Sequence, residues 1–256
     1  MSKLSLVCAL ALTLAICTYA PDASAVKVVR DSTPPAPAVP PPRPATTAPV
    51  PANLPKLSAT QIVDKNVAAR GGLTAWRAIQ SMSITGKLDA GGKKDTLLPY
   101  TLQVKRPNKQ RLTIDFAGHT ALQVFDGEHG WKLRPYLNRP DPEPFSAEEL
   151  RKAVAQPALD GPLIDYAAKG SQVELEGTEM VEGQGAYRLK VTSKQGHKQH
   201  IWIDGSTFLE AKMEGNPRHF DGQMRKVETY LRDYRRVEGV MLPFVAETRI
   251  EGVRGG

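Results

Sequence analysis

The chain has 256 residues, of which 41% are hydrophobic and 24% charged, and its formal net charge is +7. This composition is that of an ordinary globular protein, so a chain that is disordered or fibrous throughout is excluded. The positive charge favours contact with anionic surfaces such as lipid headgroups, cell-wall polymers or nucleic acid, and it serves solubility equally well. Both cysteines, Cys8 and Cys17, lie in the first 20 residues. Removal of that segment leaves no thiol for a disulfide scaffold, a cysteine nucleophile or a zinc ribbon.

The first 25 residues predict a cleaved signal peptide. Lys3 precedes an apolar run from Leu4 to Ala20, and Ala23-Ser24-Ala25 has the small-x-small pattern after which signal peptidase cuts. We therefore expect the mature chain to begin at Val26 and to reside in the periplasm. Lipidation is not expected, because neither cysteine follows a small residue.

Residues 26–57 predict a proline-rich tether. Ten of the 21 prolines lie between Pro34 and Pro55, and such a chain neither forms a helix nor pairs as a central strand. An extended polyproline II spacer and a merely disordered N-terminus both fit this composition. The remaining residues, 58–256, are predicted to form one domain.

The domain is predicted to begin with two helices. Ser58 and Gln61 form a capping box that opens a helix from Ala59 to Arg70. Gly71-Gly72 ends this helix, and a short second helix is predicted from Leu73 to Gln80.

After residue 81 the hydrophobic period changes from that of a helix to that of a strand. Apolar and polar residues alternate in short runs, separated by turns such as Pro107-Asn108 and Asp126-Gly127. Short strands at about ten-residue spacing are typical of a meandering antiparallel sheet. About eleven strands with few helices must curl to cover their apolar face. The predicted fold is therefore mainly β, a curved antiparallel sheet with helices over its concave apolar face.

Residues 135–170 are predicted to interrupt this sheet. The prolines at 140, 142 and 144 argue against a strand. Ser146 and Glu149 form a second capping box that opens a helix, and a short helix is predicted from Leu163 to Ala168. Because each helix has one apolar side, the pattern fits equally a lidded apolar cavity and helices that plug the sheet as ordinary core.

Motifs for catalysis or metal binding are scarce. The sequence lacks a Gly-x-Ser-x-Gly elbow, a phosphate loop and a His-Glu-x-x-His motif. His197 and His200 are three residues apart on a turn and strand, which places them on opposite faces and disfavours a shared metal. We predict that the protein is not an enzyme and uses no cofactor or metal, an envelope hydrolase being the weakest alternative. A basic cluster around Tyr230 and Tyr234 is better explained as a solvated face than as a nucleic-acid site, because the chain is exported.

Several short motifs resemble those of the periplasmic outer-membrane lipoprotein carriers, the LolA/LolB-like family. They are the strand end Lys105-Arg106-Pro107-Asn108, the hairpin Phe125-Asp126-Gly127, Trp131, Pro135 and the run Gly161-Pro162-Leu163-Ile164-Asp165-Tyr166. The resemblance covers about residues 58–243 and implies an incomplete β-barrel whose mouth is closed by helices. It also implies non-covalent binding of acyl chains. The tether and the insertion Pro140–Pro144 depart from the family pattern.

The resemblance favours the lidded cavity over the plugged one, and the apolar phase of the strands predicts its lining. The predicted lining consists of Leu102, Val104, Ile114, Phe116, Trp131, Leu163 and Ile164. The resemblance also implies that Arg106 hydrogen-bonds the lid backbone and holds the closed form. From the residues alone Arg106 could be an ordinary surface charge, although its strand phase places it on the apolar side, where helix-end carbonyls suit its donors.

Two functions remain open at this stage. The first is a monomeric carrier of lipoprotein acyl chains or another envelope lipid, with an inner-membrane donor and an outer-membrane acceptor and no role for nucleic acid. The second is an envelope interaction or sensor module whose cavity is plugged and which transfers no lipid.

Overall fold

The computed structural model describes residues 27–29, 54–89, 97–116, 118–135, 139–155, 159–220 and 223–251. The predicted signal peptide and most of the predicted tether lie outside these residues. In the described ranges, the helices are all too short or too polar to cross a bilayer.

The described residues form three helices, namely α1 (Ala59–Ala69), α2 (Gly72–Ala78) and α3 (Ala147–Ala155). The predicted capping box of α1 is present, because Ser58 Oγ accepts a hydrogen bond from the Gln61 amide at 3.2 Å and Gln61 Oε1 accepts one from the Ser58 amide at 2.8 Å. The same reciprocal pair joins Ser146 and Glu149 before α3.

The predicted helix from Leu163 to Ala168 is wrong. Residues 159–170 form consecutive turns. Asp165 has a φ of 53° and Gly161 a φ of 67°, and a residue in this left-handed region cannot continue a right-handed helix.

Thirteen strands are described. They are β1 (Lys27–Val29), β2 (Ser81–Asp89), β3 (Leu97–Lys105), β4 (Lys109–Phe116), β5 (His119–Phe125), β6 (Gly130–Arg134), β7 (Arg139–Pro144), β8 (Gln172–Val181), β9 (Gln184–Thr192), β10 (Lys198–Asp204), β11 (Glu210–Phe220), β12 (Gln223–Val237) and β13 (Val240–Ile250). Two six-stranded antiparallel meanders, β2–β7 and β8–β13, are joined through β1, which pairs with both β2 and β13. The end strands β7 and β8 are not paired with each other in this order, so the sheet stays open. The prediction of a mainly antiparallel fold with an incomplete closure is confirmed.

Strand β7 occurs where the three prolines argued against a strand. It stands at the end of the strand order and pairs only with β6 among the described strands. An edge strand tolerates proline, because one of its sides needs no N–H donors for a neighbour. The prolines therefore exclude a central position in the sheet without excluding a strand.

Residues 54–57, predicted to belong to the tether, pack against the domain. Leu54 and Leu57 contact the apolar cluster of α1, β9 and β10. The Tyr187 hydroxyl donates a hydrogen bond to the Pro55 carbonyl at 2.8 Å. Strand β1 also lies within residues 26–57 and pairs with β2 and β13. Both ranges were predicted to be tether, and in the structure they belong to the folded part of the chain.

The helices cover one face of the sheet, which we call the inner face. One apolar cluster on this face contains Trp76 of α2 and residues of β2, β3, β4 and β13. A second contains Ile62 and Val63 of α1 with residues of β9 and β10. Opposed residues of an antiparallel pair share a face, so the strand registers assign the side of every position in the sheet.

The outer face of the second meander carries a network of ion pairs. Glu182, in the β8–β9 turn, accepts hydrogen bonds from Arg232 of β12 and Arg249 of β13. Arg249 also bonds Glu247, and its guanidinium lies over the Tyr230 ring. The β8–β9 turn is thus folded back over strands that are three and four places away in the sheet, as a curled sheet requires.

This network is expected to make the protein sensitive to acid. Hydrogen bonds from Arg232 and Arg249, respectively, are the main reason that the pKa values of Glu182 and Glu247 lie below the usual value of 4.5. Carboxylates with a lowered pKa add stability above their unfolded pKa, and this stability is lost as the pH falls through the folded pKa. We expect the free energy of unfolding to decrease below about pH 4.5. Denaturant unfolding of Glu182→Gln should show a smaller decrease than wild type, and equal decreases would exclude Glu182 from the effect.

Candidate functional site

Most of the predicted lining residues lie on the inner face. Leu102 and Val104 of β3 and Leu163 and Ile164 are between 1% and 3% exposed. Ile114 is partly buried and packs against the cluster around Trp76. In the described structure Leu102, Val104, Ile114 and Ile164 belong to the cluster around Trp76, and Leu163 belongs to the cluster of α1, β9 and β10, so these side chains are covered from solvent.

Trp131 lies on the opposite face, contrary to the prediction. It stands opposite Val124 of β5, whereas its neighbour Lys132 stands opposite Gln123, in the same row as Leu112 of the inner face. Trp131 is 51% exposed and Lys132 is buried. The prediction placed the apolar Trp131 on the inner face of β6. In the structure the charged Lys132 lies on the inner face instead, because Glu149 pairs with it. Phe116 keeps the inner phase at the end of β4 but is 42% exposed.

The turns of residues 159–170, which we call the lid segment, insert into both inner-face clusters. Leu159 and Ile164 belong to the cluster around Trp76, whereas Leu163 belongs to the cluster of α1, β9 and β10. Two consecutive side chains therefore enter two separate parts of the core. The lid segment bridges the two meanders over the inner face.

Arg106 links the lid segment to α2. Its Nε donates to the Ile79 carbonyl at 2.8 Å, and its Nη2 donates to the Trp76 carbonyl at 2.9 Å. Its Nη1 and Nη2 also donate to the two carboxylate oxygens of Asp160, at 2.7 Å and 2.6 Å. The hydrogen bond with Asp160 is the main cause that raises the pKa of Arg106 above its usual value, so this guanidinium is charged at every relevant pH. We call this set of contacts the latch.

The latch differs from the prediction in one respect. The backbone carbonyls that accept from Arg106 belong to the C-terminal end of α2, where orphan carbonyls are expected. The lid segment contributes the carboxylate of Asp160 instead of a backbone group. A bidentate guanidinium–carboxylate pair is among the strongest polar contacts in proteins, and the sequence motif had not indicated it.

A second ion pair connects the lid segment with α2. Arg77 donates to Asp165 through Nη2 at 2.7 Å and Nε at 3.3 Å, and this pair is more exposed than the latch. Within the lid segment, Lys169 Nζ donates to the Gly161 carbonyl at 3.0 Å and to the Ile164 carbonyl at 2.7 Å. Burial lowers the pKa of Lys169, an effect that Asp160 and Asp165 oppose. The lid segment is therefore held internally by Lys169 and externally by two arginines.

Helix α3 is attached at both ends by polar contacts. Lys132 Nζ bonds both carboxylate oxygens of Glu149 at 2.6 Å. The Asn108 side chain donates to the Ala153 carbonyl at 3.4 Å. The turn that carries Arg106 thus contacts α2, α3 and the lid segment through two neighbouring side chains.

Arg70 and Glu210 form a buried ion pair next to the lid segment. Arg70 Nη1 donates to Glu210 Oε1 at 3.2 Å, and the two side chains are 1% and 4% exposed. The Arg70 guanidinium also lies 4.2 Å from the ring centroid of Trp76. The sequence analysis missed this pair, although a visible signal existed, because Asn66 and Arg70 are polar residues four apart on the apolar side of α1.

The corner between α1 and α2 holds Arg70 in place. Gly71 has a φ of 112°, and a Cβ on it would lie 2.3 Å from the Gly239 carbonyl oxygen. The Arg70 carbonyl accepts from the Met241 amide at 2.9 Å and from Trp76 Nε1 at 3.0 Å. Only glycine permits this close approach of the β12–β13 turn, and the approach fixes both Arg70 and Trp76 over the inner face.

No group of His, Cys, Asp and Glu with the arrangement of a metal site occurs in the described part of the chain. His200, for example, contacts the carboxylates of Glu176 and Glu214 on the outer face. The candidate site is thus an apolar inner face under a lid segment that ion pairs attach to α2.

No protein-family model matches the chain, and no curated protein matches it in sequence. Among solved structures, it is similar to a LolA superfamily protein of Nitrosomonas europaea, with 15% identity and a TM-score of 0.48 over 77% of this chain and 92% of that one. It is also similar to a Vibrio parahaemolyticus domain named for outer membrane lipoprotein sorting, with 14% identity and a TM-score of 0.44 over 77% and 91%. A DUF1329 family protein of Desulfovibrio piger has 13% identity and a TM-score of 0.33 over 74% and 89%. These likenesses concern the fold alone and assign no activity to the chain.

Proposed function

We propose that the protein is a non-catalytic carrier of the periplasm that binds lipoprotein acyl chains, or those of another envelope lipid, between the inner face and the lid segment. Leu102, Val104 and Ile114 would contact the ligand from the sheet, and Leu163 and Ile164 would contact it from the lid segment. Trp131 has no part in this site.

The attachment of the lid segment carries the proposal. Its middle rests on apolar side chains, whereas the bonds to α2 are two ion pairs, Arg106–Asp160 and Arg77–Asp165. Both pairs are partly exposed, so water can replace them at a small net cost. The buried lid side chains Leu159, Leu163 and Ile164 would lose contacts on opening, and an acyl chain on the inner face would replace those contacts. A cover of this kind can detach and uncover apolar surface while the sheet stays folded.

A second candidate function follows from the burial of the lid segment. Because Leu163 and Ile164 are each 1% exposed, they pack as ordinary core residues do. In this alternative the lid segment is a permanent plug, and the protein is an envelope interaction or sensor module that transfers no lipid.

Native mass spectrometry of the protein purified from its own envelope separates the two functions. A carrier is expected to show an additional mass of acyl-chain size that disappears after delipidation and returns on addition of lipid. If only the mass of the ligand-free chain is found, and it stays unchanged when acyl lipids are added, the second function, with a permanently plugged interior, is favoured.

Ile114→Glu is expected to weaken the binding of a fluorescent acyl probe and to lower the stability. The new carboxylate would replace an apolar contact on the inner face, and burying a polar group without a partner costs about 1–3 kcal/mol. Thr113→Glu is the matched control, because Thr113 adjoins Ile114 on β4 and stands opposite Leu122 of the outer face. Probe titration and denaturant unfolding of both variants provide the measurement. Reduced stability of Ile114→Glu with unchanged binding would argue for the plug.

A further inference from the structure

The cations under the lid segment have one carboxylate each. Arg106 is paired with Asp160, and Arg70 is paired with Glu210. Glu210 belongs to β11 and remains in place whatever the lid segment does. Asp160 belongs to the lid segment and must leave when that segment detaches. Opening therefore leaves Arg106 without its counter-ion at the entrance to an apolar surface.

The lid segment also covers the second guanidinium. A Cβ on Gly161 would lie 3.6 Å from Arg70 Nη1, and the Gly161 carbonyl is held by Lys169. The residue that follows Asp160 thus lies against Arg70. Movement of this part of the chain uncovers Arg70 at the same time as it releases Arg106.

Arg70 keeps unused donors in spite of its burial. Its Nε and Nη2 are buried and make no hydrogen bond to any described residue. A buried donor without a partner costs free energy. These donors can be satisfied by a polar group that is not part of the protein.

On the basis of the proposed carrier function, we infer that the site selects amphiphiles with an anionic head, a carboxylate or a phosphate. The oxygen atoms of the head take the place of Asp160 on Arg106, with Arg70 as the second cation behind it, while the acyl chain lies on the inner face. In the closed form, the carboxylate of Asp160 therefore occupies the place beside Arg106 that the head of the ligand takes in the open form.

The selectivity has a simple electrostatic cause. An anionic head restores the ion pair that opening breaks, whereas a neutral head leaves the guanidinium uncompensated in a partly desolvated place. The planar fork of arginine fits two oxygens of a carboxylate or phosphate in the geometry that Asp160 now adopts. Opening and ligand binding are then an exchange of one anion for another.

The experiment compares two ligands with the same acyl chain in the full exported chain after removal of copurified lipid. Palmitate and 1-monopalmitoylglycerol are each titrated against the neutral fluorescent probe N-phenyl-1-naphthylamine. They share the acyl chain and differ in the head, which is an anionic carboxylate in the first and a neutral glycerol ester in the second. We expect palmitate to bind about tenfold more tightly or better, because hydrogen bonds to a charged group carry this magnitude. The preference should decrease with added salt. Palmitoyl lysophosphatidic acid tests a phosphate head, and inorganic phosphate alone should not displace the probe.

Three variants test the assignment of the head position. Arg106→Leu should bring the palmitate preference close to one. Asp160→Asn should tighten the binding of both ligands, because the carboxylate that competes for Arg106 in the closed form is gone, and it should keep the preference for palmitate, because the guanidinium remains. Arg77→Ala is the control, since it removes the other ion pair of the lid segment and should change the affinities for both ligands by the same factor.

The possible results separate this inference from the proposed function. If neither ligand displaces the probe, the carrier function itself fails. If both bind equally well to wild type, the carrier function stands and the selection of anionic heads is overturned. A preference that persists in Arg106→Leu, or that is lost in Asp160→Asn, also overturns it. Should Arg106→Leu not fold, the wild-type ratio and Asp160→Asn still decide.

Discussion

Glu210→Ala is expected to lower the free energy of unfolding by about 3–5 kcal/mol, since it leaves a buried guanidinium without its partner. Arg70 and Glu210 are almost completely buried. The Tyr234 hydroxyl, which donates to the Glu210 carbonyl oxygen at 2.9 Å and to its carboxylate at 3.3 Å, would keep only the backbone contact. Urea unfolding at neutral pH, followed by circular dichroism, measures the effect.

Two further variants identify the cause of this loss. The double variant Arg70→Met/Glu210→Leu should be more stable than Glu210→Ala, because it removes both buried charges and retains apolar volume. Arg77→Ala, which breaks an exposed ion pair, should leave the unfolding free energy nearly unchanged. If Glu210→Ala is no less stable than Arg77→Ala, the buried pair does not contribute as the structure indicates.

Arg106→Leu is expected to slow the release of a neutral acyl probe by about tenfold, at an equal folded fraction. The variant loses the bidentate pair with Asp160 and the bonds to two α2 carbonyls. All of these favour the closed form, and because the pair with Asp160 is partly exposed, we expect their joint net loss to be about 1.4 kcal/mol, which is a tenfold change. When the closed form is less stable, closing of the lid segment displaces the bound probe less often, so the probe dissociates more slowly. Stopped-flow dilution of a fluorescent monoacylglycerol gives the off-rate.

The chain offers a close control for this experiment. Lys105→Leu removes the same charge at the neighbouring position, but Lys105 is exposed and stands opposite Lys109 and Ser81 at the strand end. Its off-rate should equal that of wild type. Arg106→Lys should lie between wild type and Arg106→Leu, because a lysine lacks the planar fork. Identical off-rates for wild type and Arg106→Leu would exclude the latch and make Arg106 an ordinary surface charge.

Local patterns in the sequence sufficed for most of the secondary structure. Both capping boxes could be predicted because the hydrogen bonds of a box join residues three apart. The alternation of Leu102, Val104 and Leu112 indicated strands with an apolar inner face, as the structure has them. The same alternation placed Arg106 on the apolar side and so marked it as a residue that needs a partner.

The sequence pattern failed where a charge is inside. The side of β6 was predicted from Trp131, because charged residues are generally found in water. In the structure, Lys132 and Arg134 are buried on the inner side, paired with Glu149 and Glu143. An alternating pattern shows that a strand has two faces, but the apolar face is the inner one only if the charged residues have no partners inside the protein. In β6 such partners exist for Lys132 and Arg134, and the charged face is the inner one.

The sequence by itself determined the mainly antiparallel fold, the three helices described above and the need of Arg106 for a partner, because these depend on periodicity and on contacts within a few residues. Only the tertiary structure decided which partner Arg106 has, since Asp160 is 54 residues away, and revealed the pair of Arg70 with Glu210, which are 140 residues apart. It also decided that residues 159–170 are turns, through backbone conformations at Gly161 and Asp165 that packing over the inner face imposes. Pairs at such sequence separations depend on how the whole sheet and its helices are arranged, so no local pattern records them.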